Sequence, residues 1–179
     1  FKTALFKLGE TPLPRWVREK VEPEDSERYQ TIFAAKEGAV VAPTAGMHFS
    51  KHLMKRMEIR GVERAFLTLH AGLGNFRTVD VEDLSKHKMD SEQYIVDDAT
   101  AASVNRAKRN GRKVVSIGTT VMRTLETVVS TNGTINAGEG WTNKFIFSPY
   151  EFTVADAMVS NFHLPYSTQL MMVAAFGGY

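Results

Sequence analysis

The chain has 179 residues, no cysteine and a formal net charge of +2. That length can bury one good core, or one domain with a piece of another, and the missing cysteines exclude a disulfide framework, thiolate metal sites and cysteine nucleophiles. Hydrophobic residues at 43% and charged residues at 23% exclude a disordered chain, and no apolar run approaches the ~20 residues that span a bilayer.

In chain order, residues 1–23 read as irregular, with Pro12-Leu13-Pro14 extended. Glu24 to Ala35 has the pattern of a helix capped by Asp25 or Ser26, with Tyr29, Ile32 and Phe33 on one face. Ala39 to Ala42 reads as a short strand. The turn-rich segment PTAGMHFS follows, with Ser50 as the cap of a helix from Lys51 to Arg60. Leu53, Met54 and Met57 form its apolar side, and Gly61 ends it. Val62 to His70 reads as a buried strand, then AGLGNFRTV as a glycine-rich loop. Val81 to Ser91 has no clear period. Gln93 to Val96 is predicted to be a strand, and Asp98 to Asn110 a capped helix closed by Asn110-Gly111. Lys113 to Ile117 reads as a strand that turns through Gly118-Thr119-Thr120 into a helix, Val121 to Ser130. A loop from Asn132 to Trp141 precedes short strands at Lys144 to Phe147, Phe152 to Val154 and Ala157 to Val159. Ser167 to Phe176 reads as an apolar helix, with Leu170, Met171, Val173 and Ala174 as core.

Strands alternating with helices of about ten residues predict an α/β fold, with a parallel or mixed sheet covered on both faces. In such folds the loops at the carboxyl ends of strands form the ligand crevice. The N-terminal stretch lacks the apolar core of a signal peptide, so the expected location is the cytoplasm. The basic balance is weak evidence for a nucleic-acid partner. Lys51, Lys55, Arg56 and Arg60 form one basic cluster, and Arg106, Lys108, Arg109, Arg112 and Lys113 another; each reads as a solvated helix face or as a tracker of phosphates.

Five segments combine turn formers with reactive or aromatic residues. They are Arg28-Tyr29-Gln30-Thr31, the run from Pro43 to Phe49, the run from Leu69 to Arg77, Gly118-Thr119-Thr120 with Arg123, and the run from Asn161 to Thr168. Taken in order, RYQTIFA, APTAGMHF, LHAGLGNFR, HKMDSEQY, IGTTVMRTLE, GWTNKFIF and SNFHLPYSTQLMMVAAFGG resemble the S-adenosylmethionine:tRNA ribosyltransferase-isomerases, the queuosine biosynthesis family, from about Leu8 to Gly178. Two departures stand out: Asp90 where the family pattern HxMHSE has histidine, and Arg15-Trp16 where members carry a second proline and a tyrosine.

The resemblance implies an enzyme that consumes S-adenosylmethionine as a substrate and needs no further cofactor and no metal. Its ribosyl unit is moved and rearranged onto 7-aminomethyl-7-deazaguanine at the tRNA wobble position, giving epoxyqueuosine, adenine and methionine. The implied fold is a three-layer α/β sandwich with an inserted small β-barrel. On that basis residues 1–23 are expected to be the exit segment of a barrel lying mostly outside this chain. Residues 24–179 would then be the α/β catalytic domain, truncated at its C-terminus. The implied partners are a tRNA anticodon loop and S-adenosylmethionine, with a monomer and no membrane.

That chemistry requires a base to deprotonate the carbon beside the sulfonium, a proton or hydrogen bonds for the leaving adenine, an unprotonated attacking amine, and exclusion of water. His48, His70 and His163 are the acid–base candidates, because imidazole titrates near neutrality; each can equally be a hydrogen-bonded loop histidine. Glu92 can act as a base, bind the substrate amine, or be an ordinary exposed glutamate. Gly118, Thr119 and Thr120 open a helix whose N-terminus favours an anion, either the methionine carboxylate or a tRNA phosphate, with Arg123 one turn in. The plain alternative is a threonine cap with Arg123 exposed. Arg28, Tyr29, Thr44, Gly46, Gly72, Gly74, Arg77, Asn161 and Phe162 complete the expected substrate site. One or two of Phe49, Phe76, Trp141, Phe162 and Tyr166 can stack on a base. The competing classes are a non-catalytic RNA-binding module and a metal-dependent hydrolase; the absence of HExxH and the wide spacing of the histidines argue against the second.

Overall fold

In this computed structural model the helices that start at Lys51, Asp98 and Thr168 begin at a side-chain cap and end beside a glycine with positive φ. Residues 2–14, 17 and 20–179 are described; Arg15 and Trp16, the second departure from the family pattern, lie outside them. Helix α1 (Lys2–Leu8) lies within the segment predicted to be irregular. Its sequence, KTALFKL, is rich in good helix formers, and the prolines that suggested an extended chain come only after it. Helix α2 is limited to Asp25–Arg28, against the longer helix expected to Ala35. Beyond it, Gln30 Oε1 accepts from Thr31 N and Thr31 Oγ1 from Phe33 N, so side chains take the place of helical backbone partners.

Helix α3 (Lys51–Ile59) starts as predicted, with the Ser50 hydroxyl accepting from Leu53 N. It ends on Gly61 at φ +73°. Gly61 N donates to Glu58 O and Val62 N to Met57 O, the paired bonds of a glycine-terminated helix. Helix α4 (Asp98–Arg109) repeats the design, with Asp97 capping Thr100 N and Gly111 at φ +63°. Helix α5 (Thr119–Val128) begins at Gly118. Helix α6 (Thr168–Gly177) is capped by Ser167, whose side chain accepts from Leu170 N.

Two small sheets replace the single covered sheet that the alternation suggested. Strands β1 (Thr68–Leu69), β2 (Glu92–Val96) and β4 (Gly138–Thr142) form an antiparallel sheet in the order β1-β2-β4. Strands β3 (Val115–Ile117) and β5 (Ala157–Val159) pair in parallel, Val115 opposite Ala157 and Ile117 opposite Val159. The long strand expected from Val62 shrinks to Thr68–Leu69, because Val62 and Phe66 are exposed rather than buried. Neither Ala39–Ala42, Lys144–Phe147 nor Phe152–Val154 is a strand; Val40 and Val41 nevertheless both donate to Ala71 O.

Conversely, β4 forms where a loop was expected. Gly140 lies opposite Tyr94, and a Cβ there would sit 2.8 Å from the Tyr94 hydroxyl. The bare backbone is what lets the strands approach.

The core lies between α4, α5 and α6. Met122, Leu125 and Val128 from α5 meet Ala101 and Val104 from α4, Met172 and Ala175 from α6, and Ile135, Ile146 and Val154 from the connections. Burying each large side chain contributes about 1.5–3 kcal/mol. On α6 the buried positions are Thr168, Met172 and Ala175, while Leu170, Met171, Val173 and Ala174 are half-buried. Behind this core, the buried Glu126 carboxylate accepts from Thr153 N and Val154 N at 3.0 Å each and from the Tyr150 hydroxyl at 3.2 Å. It fixes the path that leads into β5. Among the described residues no helix is long and apolar enough to cross a membrane.

Candidate functional site

The carboxyl ends of the two parallel strands open into one cavity. Ile117 of β3 leads to Gly118, and Val159 of β5 leads to Ser160 and Asn161; Gly118 N donates to Val159 O at 2.8 Å, which joins the two exits. Parallel strands place ligand crevices at this end. The cavity has a volume of about 370 Å³ and takes wall residues from every turn-rich segment. Pro43 precedes the 3₁₀ turn Thr44–His48, and Thr44 and Ala45 lie in it. Ala71, Asn75, Phe76 and Arg77 come from the glycine-rich loop, Gly118, Thr119 and Thr120 from the start of α5, and Ser160 to Pro165 from the loop after β5; Tyr29 also lines it.

Gly118 holds φ +100° and ψ 153°, a conformation that only glycine adopts without strain. It is the N-cap residue, and no side chain caps the helix. Thr119 and Thr120 are therefore inside the first turn and do not cap it, which corrects the plain alternative drawn from sequence. The first-turn N–H groups consequently carry the helix's positive end to the cavity wall without a side-chain partner.

One of the four expected acid–base residues lines this cavity, and a second contacts its wall. His163 lines it, and its Nε2 lies 2.8 Å from the Ser160 hydroxyl. Burial lowers its pKa below the ordinary histidine value, which keeps the ring neutral at neutral pH. His48 is one step back: its Nε2 is 2.5 Å from Oδ1 of Asn161, a wall residue. His70 does not line the cavity; its ring packs on Gly38, where a Cβ would meet Nδ1 at 2.7 Å.

Glu92 is neither exposed nor facing the cavity. It is 3% exposed; Oε2 accepts from Arg123 Nη1 at 2.6 Å, and Oε1 accepts from Gly72 N at 2.9 Å and Asn75 Nδ2 at 2.5 Å. Arg123, at 1% exposed, lies in the interior rather than in solvent. Burial pulls its pKa down and the Glu92 charge pulls it up, with burial the larger effect. Its Nε has no partner among the described residues.

The remaining candidates divide by position. Arg77 lines the cavity and pairs with Asp90 at 3.1 Å. Gly74 backs that pair, because a Cβ there would meet Asp90 Oδ2 at 2.7 Å. Gly72 contributes its N–H to Glu92 rather than to the cavity. Gly46 is buried against Thr31 and Phe33. Burial raises the Tyr29 pKa at the wall. Arg28 stands on exposed α2, 3.9 Å from Glu22 and away from the wall. Phe162 is fully exposed at the rim. Phe76 is also in the wall, whereas Phe49 packs on Phe33 with ring centres 6.0 Å apart. In the second basic cluster Arg106 is paired with Glu63 and Lys108 donates to the Thr153 and Val154 carbonyls.

Sequence inspection missed Gln169 and the use of Asn75. Gln169 Nε2 donates to Asn75 Oδ1 at 2.7 Å, across 94 residues of chain, and both line the cavity. Nothing in spacing signals that pairing. Of the described residues in the wall, only Arg77 carries a permanent charge and none is a carboxylate. Among the described residues no group of three or more His, Asp and Glu side chains is placed to hold a metal ion.

The whole chain, residues 1–179, matches the family described as queuosine biosynthesis protein. The chain belongs to that family. It is 64% identical over 179 residues to the S-adenosylmethionine:tRNA ribosyltransferase-isomerase of Parabacteroides distasonis, covering all of this chain and 51% of that protein. To the protein of the same name from Bacteroides fragilis it is 65% identical over 180 residues, again covering 100% of this chain and 51% of the relative. The queuosine family chain thus spans about half the length of these curated relatives. A crystal structure of the S-adenosylmethionine tRNA ribosyltransferase of Thermotoga maritima is similar at 36% identity with a TM-score of 0.58, covering 75% of this chain and 41% of that one.

Proposed function

We propose that this protein transfers and isomerises the ribosyl unit of S-adenosylmethionine onto 7-aminomethyl-7-deazaguanine at the wobble position of tRNA, yielding epoxyqueuosine, adenine and methionine. The observation that carries the proposal is the convergence of the PTAG, HAGLG, GTT and NFHLP segments on one cavity. Its volume of about 370 Å³ falls within the usual range of small-ligand sites, about 300–1,000 Å³. The family description and the names of the relatives support the coarser part of this reading, a ribosyl transfer and isomerisation with S-adenosylmethionine and tRNA in queuosine biosynthesis.

In this reading the uncapped start of α5 takes an anion, the methionine carboxylate or a tRNA phosphate, because unpartnered N–H groups and the helix dipole favour negative charge. His163, neutral and at the wall, is the group best placed to accept the proton beside the sulfonium or to hydrogen-bond the departing adenine. His48 acts through Asn161. Glu92, with both oxygens engaged, positions the glycine-rich loop. Phe162 at the rim offers a stacking face to a splayed anticodon base. S-adenosylmethionine is consumed, so no separate cofactor takes part. The finer architecture belongs to the proposal as well: a three-layer α/β domain, residues 1–23 as the exit from an inserted barrel, a cytoplasmic location and a monomeric state.

The test is to incubate the full protein with S-adenosylmethionine and tRNA carrying the aminomethyl base, and to assay adenine and the modified nucleoside. Release of adenine with formation of the new nucleoside is expected. Binding of tRNA without adenine release would replace the enzyme by a non-catalytic RNA-binding module.

A further inference from the structure

The side chains that link the buried ion pair to the cavity can be oriented in only one way. The Glu92 carboxylate, paired with Arg123 at 2.6 Å, has oxygens that accept hydrogen bonds. Asn75 touches Oε1 of Glu92 and the carbonyl of Gly72 with the same end of its amide, at 2.5 and 3.1 Å. Two acceptors fix that end as the NH₂ group. The other end of Asn75 is therefore an oxygen, and the Gln169 atom 2.7 Å from it must be the donor, Nε2. Gln169 Nε2 also reaches the Asn75 carbonyl at 3.4 Å, a second acceptor that holds the same orientation. What remains of Gln169 is Oε1, whose one partner among the described residues is a 3.4 Å contact from the Thr168 hydroxyl. Gln169 lines the cavity.

We infer that Glu92 and Asn75 are positioning residues that lock Gln169 Oε1 as an acceptor for an amino group of the bound ligand, and that Gln169 is a specificity-determining residue. The assignment rests on the proposal that the cavity takes S-adenosylmethionine. That ligand offers two amino groups, the exocyclic amine of its purine and the α-ammonium of its methionine part. Both are N–H donors, and a locked oxygen favours either over a group that only accepts. A glutamine free to turn could not discriminate, since an amide offers a donor at one end and an acceptor at the other. The buried pair, 31 residues apart in sequence, thus selects a ligand it does not touch.

The test measures binding by calorimetry to the full protein. The ligands are S-adenosylmethionine, its analogue with a 6-oxo purine, and its analogue with the α-amino group replaced by hydrogen. The proteins are the wild type, Gln169→Leu and Asn75→Ala. The wild type should prefer S-adenosylmethionine to one of the analogues by about tenfold, the size of a lost buried hydrogen bond. That analogue identifies the amino group. In Gln169→Leu this preference should vanish. In Asn75→Ala, where Gln169 is intact but its amide can turn, the preference should shrink to within about threefold. A loss of packing alone would weaken all three ligands together and leave their ratios unchanged. A wild-type protein that binds S-adenosylmethionine and a variant that keeps the full preference overturn the assignment alone. A wild-type protein that binds none of the three overturns the functional proposal, and the assignment with it.

Discussion

Glu92 and Arg123 form an ion pair of 2.6 Å inside the protein, each almost wholly shielded from water. Two charges taken out of water are tolerated only when geometry and further hydrogen bonds compensate their desolvation. Here both carboxylate oxygens are engaged, by Arg123, Gly72 and Asn75. The pair joins β2 to α5 and ties the glycine-rich loop to both, so it connects the core to the cavity wall.

Removing one member of this pair leaves the other charge buried without a partner. Arg123→Met is expected to destabilise the protein by about 3–5 kcal/mol, and Arg123→Met with Glu92→Gln by clearly less, because the double change leaves no isolated charge. Urea unfolding of the three proteins measures this. A single variant within about 1 kcal/mol of wild type would show that the interior pair carries little.

Gly118 is the second sensitive point. Its φ of +100° is unfavourable for any side chain, whereas the space around it is adequate: an added Cβ would meet only Thr120 Oγ1 at 3.5 Å and Ala45 Cβ at 3.7 Å. The expected cost of Gly118→Ala is therefore backbone strain alone, about 1–3 kcal/mol. Thermal unfolding should report it, and weaker binding of S-adenosylmethionine should accompany it if the chain relaxes by moving the start of α5. An unchanged melting temperature would mean that this turn is not constrained.

Much of the helical framework was legible because its signals are local. Ser50, Asp97 and Ser167 each lie immediately before a helix and cap it, and Gly61 and Gly111 each follow one. Such chemistry acts within four residues and needs no tertiary context. The strands were less legible. The composition of Gly138–Thr142 argues against a strand, yet it pairs with β2 along its length, and the bare Gly140 leaves room for the Tyr94 side chain opposite. The apolar run from Val62 argues for a strand, yet it remains exposed over most of its length. The site divides in the same way. The motif loops could be picked out from their turn formers and reactive residues, but Arg123 was expected at a ligand or in solvent, and its burial against Glu92 is decided by packing. The amide of Gln169 gave no signal, since its partner is reached only through the folded chain.

Asp90, where the resemblance leads to an expectation of histidine, is half exposed and pairs with Arg77 at the cavity wall. Exposed pairs contribute little to stability, about 0–1 kcal/mol. Asp90→Asn is therefore expected to leave unfolding within about 1 kcal/mol of wild type while releasing the Arg77 guanidinium toward the cavity. Affinity for tRNA should rise, with a steeper dependence on salt, because one more cation is free to meet a phosphate. Filter binding of tRNA across a salt series gives both quantities. An unchanged slope would place Arg77 away from the nucleic acid.

His163 sets an expectation for pH. Burial lowers its pKa in the folded protein below the value near 6.5 of an unfolded histidine. Between those two values the unfolded chain binds a proton that the folded protein refuses. Stability therefore rises with pH through that window. The contribution is fully present above the unfolded pKa, and it is lost as pH falls toward the folded one. His163→Gln cannot titrate and should show a smaller loss of stability from about pH 7 to about pH 5 than the wild type. Urea unfolding of both proteins at several pH values tests the sign, and the NMR titration of the His163 ring tests its cause. A ring that titrates at or above the ordinary histidine value, or two proteins with the same pH slope, would remove both the burial argument and the case for His163 as the neutral, proton-accepting group at the cavity.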